Sequence, residues 1–81
     1  MMKEIALLVT ERNVKVFEID EVKKTLIKID TVKNSAELAQ YNGMKMYAKL
    51  NTGANLDFLN GLNVEILTAD EMQTMLENKV F

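Results

Sequence analysis

Residues 5–9 constrain the fold more than any other feature, because apolar side chains fill every position of this segment. In an extended chain, successive side chains point to opposite faces, so Ala6 and Leu8 would lie on one face and their neighbours on the other. A strand with two apolar faces must be covered on both sides, which places it in the interior of a sheet. The sequence therefore predicts a central strand at residues 3–9.

Two further strands are predicted directly after the central strand. Residues 14–19 and 25–30 are rich in β-branched residues, and short polar segments at 10–13 and 20–24 separate the strands. Connections this short join antiparallel neighbours, so the first three strands should form a meander. The polar alternate positions of the third strand indicate an outer place in the sheet.

The second half of the chain predicts helices that alternate with strands. Strands are expected at residues 44–50, where apolar and polar side chains alternate, and at 64–67. A capping side chain precedes each of the three expected helices, and these caps are Asn34, Thr52 and Thr68. The last helix should direct Met72, Met75, Leu76 and Val80 toward the core.

These elements follow one another in the order βββαβαβα, in a single domain that spans residues 1–81. The fourth and fifth strands belong to a β-α-β unit, so they should be parallel and joined by a right-handed crossover. If the doubly apolar first strand lies between the meander and the parallel pair, the strand order is 3-2-1-4-5. The predicted fold is an α/β fold with a mixed five-stranded sheet, three short helices and a ribonuclease H-like strand order.

The composition excludes several functional classes. The 81 residues include neither cysteine nor histidine, which removes thiolate nucleophiles, disulfides and the commonest metal ligands and acid–base groups. Ten basic and twelve acidic residues give a net charge of −2, and no segment is basic enough to bind nucleic acid. The apolar run at residues 5–9 is too short for a membrane span or a signal peptide. We therefore expect a cytoplasmic protein that is not an enzyme, has no metal site and contacts neither nucleic acid nor membranes.

A pattern of glycine and leucine residues indicates a family resemblance. Residues 36–76 contain a helix that ends at a glycine, a turn of small residues at 52–54 and the sequence Gly-Leu-Asn-Val at 61–64 before a strand. Together with the hairpin pattern at residues 16–30, this segment resembles the dinitrogenase iron-molybdenum cofactor biosynthesis domains. The resemblance implies a small carrier or accessory protein of metallocofactor assembly. The family's His-Phe-Gly stretch is missing here. Because the chain has neither cysteine nor histidine, thiolate or imidazole binding of an iron–sulfur cofactor is not carried over.

The turn at residues 52–54 is the first candidate for a ligand site. In the predicted sheet it lies at the carboxyl ends of the parallel strands, beside the connection 10–13, where open α/β sheets bind ligands. Free N–H groups at a helix start attract anions, and a glycine allows close approach. The candidate ligand-binding residues are Arg12, Thr52, Gly53 and Thr68. In a plainer interpretation, Thr52 only caps a helix and Gly53 only permits a tight turn.

The strand at residues 44–50 carries a candidate partner surface. Lys45, Tyr47 and Lys49 occupy its polar face, which either contacts a partner or is simply solvated. The sequence thus predicts a small non-catalytic binding or accessory domain, with a small anion or a metallocofactor as ligand. The alternative is a protein–protein interaction or homodimerisation module without a small ligand.

Overall fold

The computed structural model of the chain describes residues 4–78. Within this range the strands are β1 (Glu4–Val9), β2 (Val14–Asp20), β3 (Thr25–Val32), β4 (Lys45–Leu50) and β5 (Val64–Ile66). The helices are α1 (Ser35–Leu38), which continues into a 3₁₀ turn (Ala39–Tyr41), a separate 3₁₀ helix (Leu56–Leu59) and α2 (Ala69–Glu77). Lys3 and Val80, which the sequence assigns to the first strand and the last helix, lie outside the described residues.

The strands form one mixed sheet in the order β3-β2-β1-β4-β5. β1 pairs antiparallel with β2 and parallel with β4, while β3 and β5 are the outer strands. Leu7, in the middle of β1, has Val16 of β2 on one side and Ala48 of β4 on the other. The predicted α/β fold, its strand order and the central place of the first strand are therefore confirmed.

The two faces of the sheet are covered to different extents. The core face carries the odd-numbered residues of β1, and α1 and both 3₁₀ segments contribute Leu38, Tyr41 and Phe58 to its buried cluster. The opposite face, which we call the second face, carries Ala6 and Leu8 and lies against the buried Met72 of α2. A single nine-residue helix cannot cover a sheet of five strands, so residues 4–78 leave part of the second face open.

The helix predicted after Thr52 is wrong in type and in its cap. The segment forms one 3₁₀ helix at Leu56–Leu59, and Asn55 rather than Thr52 caps it, since the Asp57 N–H donates to Asn55 Oδ1 at 3.1 Å. Gly61 follows so closely, with a φ of 77°, that the chain has no room for two α-helical turns. The described chain therefore has two α-helices instead of the predicted three.

The caps predicted for the other two helices are confirmed. The Glu37 N–H donates to Asn34 Oδ1 at 3.0 Å at the start of α1. At α2, the Glu71 N–H donates to Thr68 Oγ1 at 3.1 Å, and the Thr68 N–H donates to Glu71 Oε1 at 3.0 Å. These reciprocal bonds are a complete capping box, which fixes the position at which α2 leaves β5.

Candidate functional site

The ends of β1 and β4 bring two connecting loops together. The Asn51 N–H donates to the Val9 carbonyl at 2.9 Å, and the Asn55 N–H donates to the Thr10 carbonyl at 3.1 Å. These bonds attach the loop after β4 to the hairpin that joins β1 and β2. A groove of about 410 Å³ lies between the loops, and we call it the polar groove. It is lined by Thr10, Glu11, Arg12, Asn13, Lys15, Asn51 and Thr52.

One wall of the polar groove is the turn at residues 10–13, which is folded around the hydroxyl group of Thr10. That oxygen accepts the N–H groups of Arg12 at 3.3 Å and Asn13 at 3.1 Å, and donates its own proton to Asn13 Oδ1 at 2.8 Å. The turn is therefore held by its own polar groups. Arg12 and Glu11 are exposed at its tip, so the groove carries the positive charges of Arg12 and Lys15 against one carboxylate.

The opposite wall is the turn that the sequence singled out. The Ala54 N–H donates to the Asn51 carbonyl at 3.0 Å, and Gly53, the third residue of the turn, has a φ of 77°. A type II turn requires this φ, and glycine adopts it without strain. A Cβ atom at Gly53 would meet nothing within 4 Å, so the glycine serves the turn and not a close approach to another atom of the chain.

The helix start predicted after Thr52, where free N–H groups would attract an anion, is wrong, because the helical turn begins at Leu56. Ala54 and Asn55 donate their N–H groups within the loops, and the Asp57 N–H is taken by its own cap. Hydrogen bonds within the chain thus satisfy these three donors, which an anion would otherwise have used. What remains at this position is a groove with cationic side chains.

Thr68 lies apart from the other three candidate residues. It lines a separate depression of about 360 Å³, together with Lys49, Leu50, Ile66, Leu67, Ala69 and Glu71. The Glu71 carboxylate already occupies the N-terminus of α2 through the capping box, and its charge complements the helix dipole there. The structure therefore brings Arg12 and Thr52 to one groove, with Gly53 next to Thr52 in the turn, and Thr68 to another depression.

The predicted partner surface on β4 is partly engaged within the chain. The Lys45 ammonium group lies 3.4 Å from Glu65 Oε2 and 5.4 Å from the centre of the Tyr47 ring. The Lys49 ammonium group donates to Asn51 Oδ1 at 3.1 Å. Tyr47 and Lys49 are half-buried. These side chains belong to the second face and form no flat, fully exposed patch.

A cavity on the second face was not predicted from the sequence. It has a volume of about 260 Å³ and is lined by Ala6, Leu7, Leu8, Phe17, Leu26, Lys49, Asn51 and Met72. We call it the second-face cavity. A signal was available in the alternation of β2, because Phe17 faces away from the core residues Val14 and Val16.

The metal-ligating side chains of residues 4–78 do not form a cluster. The chain has no cysteine or histidine, and among residues 4–78 no group of three or more acidic side chains is arranged to hold a metal ion. An iron–sulfur cofactor of the kind that the family resemblance implies does not fit these residues as ligands. Within the same range, no helix has the length and apolar content needed to cross a bilayer.

No family model, no curated protein and no solved structure matches the chain. The resemblance to the cofactor-biosynthesis domains therefore stays a hypothesis. The function must therefore be inferred from the geometry and charge of the site.

Proposed function

We propose that the chain is a small non-catalytic binding domain that holds a small anion in the polar groove. Its role would be that of an accessory protein, similar to the carriers of metallocofactor biosynthesis. The observation that carries this proposal is the meeting of two loops at the carboxyl ends of β1 and β4, with Arg12 and Lys15 beside a single carboxylate, Glu11. The net positive charge of the groove contrasts with the net charge of −2 of the chain.

The position in the sheet supports the same proposal. The chain leaves β1 toward β2 on one side and leaves β4 toward β5 on the other, so a crevice lies between the two connections. Open α/β sheets bind ligands in such crevices, outside the carboxyl ends of their strands. Each exposed charge contact contributes only about 0.2–1 kcal/mol, so we expect an inorganic anion alone to bind no more tightly than the millimolar range.

A binding role fits the groove better than a catalytic one. Thr10 supplies a hydroxyl group, but its proton is donated to the amide oxygen of Asn13 at 2.8 Å. An amide oxygen is too weak a base to activate a hydroxyl nucleophile.

Substitution of Gly53 tests the anion site. Asn and Asp both tolerate a positive φ, so Gly53→Asn and Gly53→Asp preserve the turn, and only the second adds a negative charge beside the groove. We expect 50 mM phosphate to raise the Tm of the natural chain and of Gly53→Asn by several degrees more than that of Gly53→Asp. Differential scanning fluorimetry measures the three shifts. Because general salt effects cancel between the two variants, equal shifts in both would remove the support for the proposal.

The second candidate function, homodimerisation, is favoured by the outer strand β3. Two large apolar side chains of this strand, Ile27 and Ile29, are 48% and 43% exposed. An exposed strand edge is a template for pairing with a second copy. The register shift opposite Val16 and Phe17 makes Ile29 a bulge, and the Thr31 N–H is taken by Asp30 Oδ1 at 2.8 Å. Pairing would therefore be limited to the first half of β3, and the dimer would be weak.

The variant Ile27→Lys tests the homodimer. A charge in the first half of β3 should reduce any dimer at least tenfold, because like charges would face each other across the new pair. Sedimentation equilibrium over a hundredfold range of concentration measures the effect, and Val22→Lys, at a position 79% exposed in the β2–β3 turn, is the matched control. A natural chain that remains monomeric throughout the range would exclude this function.

A further inference from the structure

The second-face cavity combines an apolar lining with a cation at its rim. Apolar side chains from three strands and α2 form its walls, and Lys49 and Asn51 are the polar residues that line it. Binding sites for small organic molecules have this composition: a mostly apolar surface with a few polar groups that fix the orientation of the ligand. The polar pair therefore restricts the class of molecule that the cavity accepts.

We propose that the second-face cavity binds a small amphipathic carboxylate, whose apolar body lies against Phe17 and Met72 and whose carboxylate contacts Lys49. This inference goes beyond the proposed function, because it assigns a second site with its own class of ligand. Asn51 lines both the cavity and the polar groove, so the carboxylate end of the ligand would lie where the two meet.

The volume of the cavity sets the size of the apolar body. A cavity of about 150 Å³ holds one benzene molecule. By proportion, the 260 Å³ of the second-face cavity accommodates an apolar body of about ten carbon atoms. Phe17 and Leu26 are only half-buried in the free chain, so a ligand of this size would remove apolar surface from water.

The charge pattern selects an anion. The strand register places Lys15 and Lys49 on either side of Leu8, and residues paired across neighbouring strands share a face of the sheet. Lys45, on the same strand as Lys49, is ion-paired with Glu65. Among the residues that the structure describes, Lys49 instead donates to the neutral Asn51 side chain and forms no ion pair with a carboxylate. A ligand carboxylate would supply the missing counter-charge through a charge-assisted hydrogen bond.

The other simple ligands fit less well. An organic cation would be repelled by the two lysines that flank Leu8. A neutral hydrocarbon would fill the apolar part but leave the half-buried Lys49 without a counter-charge. An inorganic anion would reach the rim and leave the apolar walls in contact with water. Only a molecule with both parts satisfies both observations.

Titration of the ¹⁵N-labelled full chain with octanoate, followed by two-dimensional NMR, tests the proposal. Octanoate below its micellar concentration should shift the amide signals of Ala6, Leu8, Phe17 and Met72 in a saturable way. 1-Octanol, with the same apolar body but no charge, should bind at least tenfold more weakly. Octanoate binding at other residues, or equal affinities for the two probes, would overturn the proposal.

Two matched variants test whether the Lys49 ammonium group binds the carboxylate. Lys49→Gln should weaken octanoate binding about tenfold and leave octanol binding unchanged, because it removes the charge and preserves most of the side chain. Lys45→Gln, on the same face of the same strand, should leave both affinities unchanged. If the two variants behave alike, Lys49 is not the carboxylate partner and the proposal falls.

A phosphate titration of the same labelled chain separates this inference from the proposed function. Phosphate shifts at Arg12 and Thr52 without octanoate shifts in the cavity would leave the proposed function standing and overturn only the inference. Octanoate shifts without any phosphate effect would support the cavity and remove the polar groove as an independent anion site.

Discussion

Replacement of Leu7 by alanine is expected to lower the free energy of unfolding by about 2–5 kcal/mol. Leu7 is 1% exposed and lies in the strand that holds the antiparallel and parallel parts of the sheet together. Truncation there removes apolar contacts and leaves a cavity that the two neighbouring strands cannot close. Domains of this size unfold at a cost of only about 5–15 kcal/mol, so the loss is a large fraction of the total stability.

Urea denaturation followed by circular dichroism measures this loss. The matched control is Leu56→Ala, because Leu56 is 57% exposed on the 3₁₀ helix and its truncation should change the free energy of unfolding by no more than about 0.5 kcal/mol. Equal losses in the two variants would contradict the central position of β1. A changed denaturant slope in Leu7→Ala alone would indicate instead that the unfolded state had changed.

The central strand could be predicted because its evidence is local. The side-chain period of a strand is two, so apolar residues in both parities, such as Leu7 and Leu8, require two covered faces whatever the rest of the chain does. The capping box at Thr68 and Glu71 is equally local, since both partners lie within one helical turn. For such features, the pattern and the structure agree to within one or two residues.

The loop after β4 could not be predicted in the same way. Thr52 and Asn55 are both good N-cap residues, and local chemistry gives no reason to prefer one. Hydrogen bonds to distant residues decide that Asn55 is the cap: the N–H groups of Asn51 and Asn55 donate to the carbonyls of Val9 and Thr10. Because of these bonds, the helical turn begins three residues later than expected. Gly61, with its positive φ, ends the segment soon afterwards, so only one turn of 3₁₀ helix forms.

The candidate site also has features that the sequence predicts and features that it does not. Arg12 and Thr52 were expected at one edge of the sheet because strand order fixes which connections meet there. Thr68 was expected with them but lines another depression. The strand order does not determine how far the β5–α2 connection lies from the other two loops. The second-face cavity was not predicted because it depends on which part of the sheet α2 covers. The sequence indicates the length of α2 but not the place at which the helix crosses the sheet.

Tyr41 on the core face gives the second large effect, which depends on pH. Its hydroxyl group donates to Asp30 Oδ2 at 3.0 Å, and the ring belongs to the buried cluster. Burial raises the pKa of Tyr41 above its ordinary value of 10.0, and the hydrogen bond and the negative charges of Asp30 and Glu18 raise the pKa further. A hydrogen bond to a charged group contributes about 1.5–3 kcal/mol, and Asp30 is half-buried, so Tyr41→Phe should lower the free energy of unfolding by about 1–2 kcal/mol at pH 7.

The sign of the pH dependence follows from the direction of that shift. Tyr41 keeps its proton in the folded chain at a pH where the unfolded chain has lost it, so its contribution is fully present below about pH 10. The contribution is lost as the pH rises through the raised folded pKa. The difference between the natural chain and Tyr41→Phe should therefore shrink above pH 10, and this comparison cancels the titration of the lysines, which both chains share.

Urea denaturation at intervals from pH 7 to pH 11 measures this difference. Asp30→Asn separates the effect of burial on the pKa of Tyr41 from the effect of the Asp30 charge, because it removes the charge and leaves Tyr41 buried. We expect this variant to keep part of the alkaline loss of stability, since burial, the largest single cause of the raised pKa, is unchanged, and Tyr41→Phe to lose it. If Tyr41→Phe loses stability above pH 10 as steeply as the natural chain, the alkaline transition arises elsewhere in the molecule. A steep loss in the natural chain that Asp30→Asn abolishes would make the Asp30 charge, and not burial, the dominant cause.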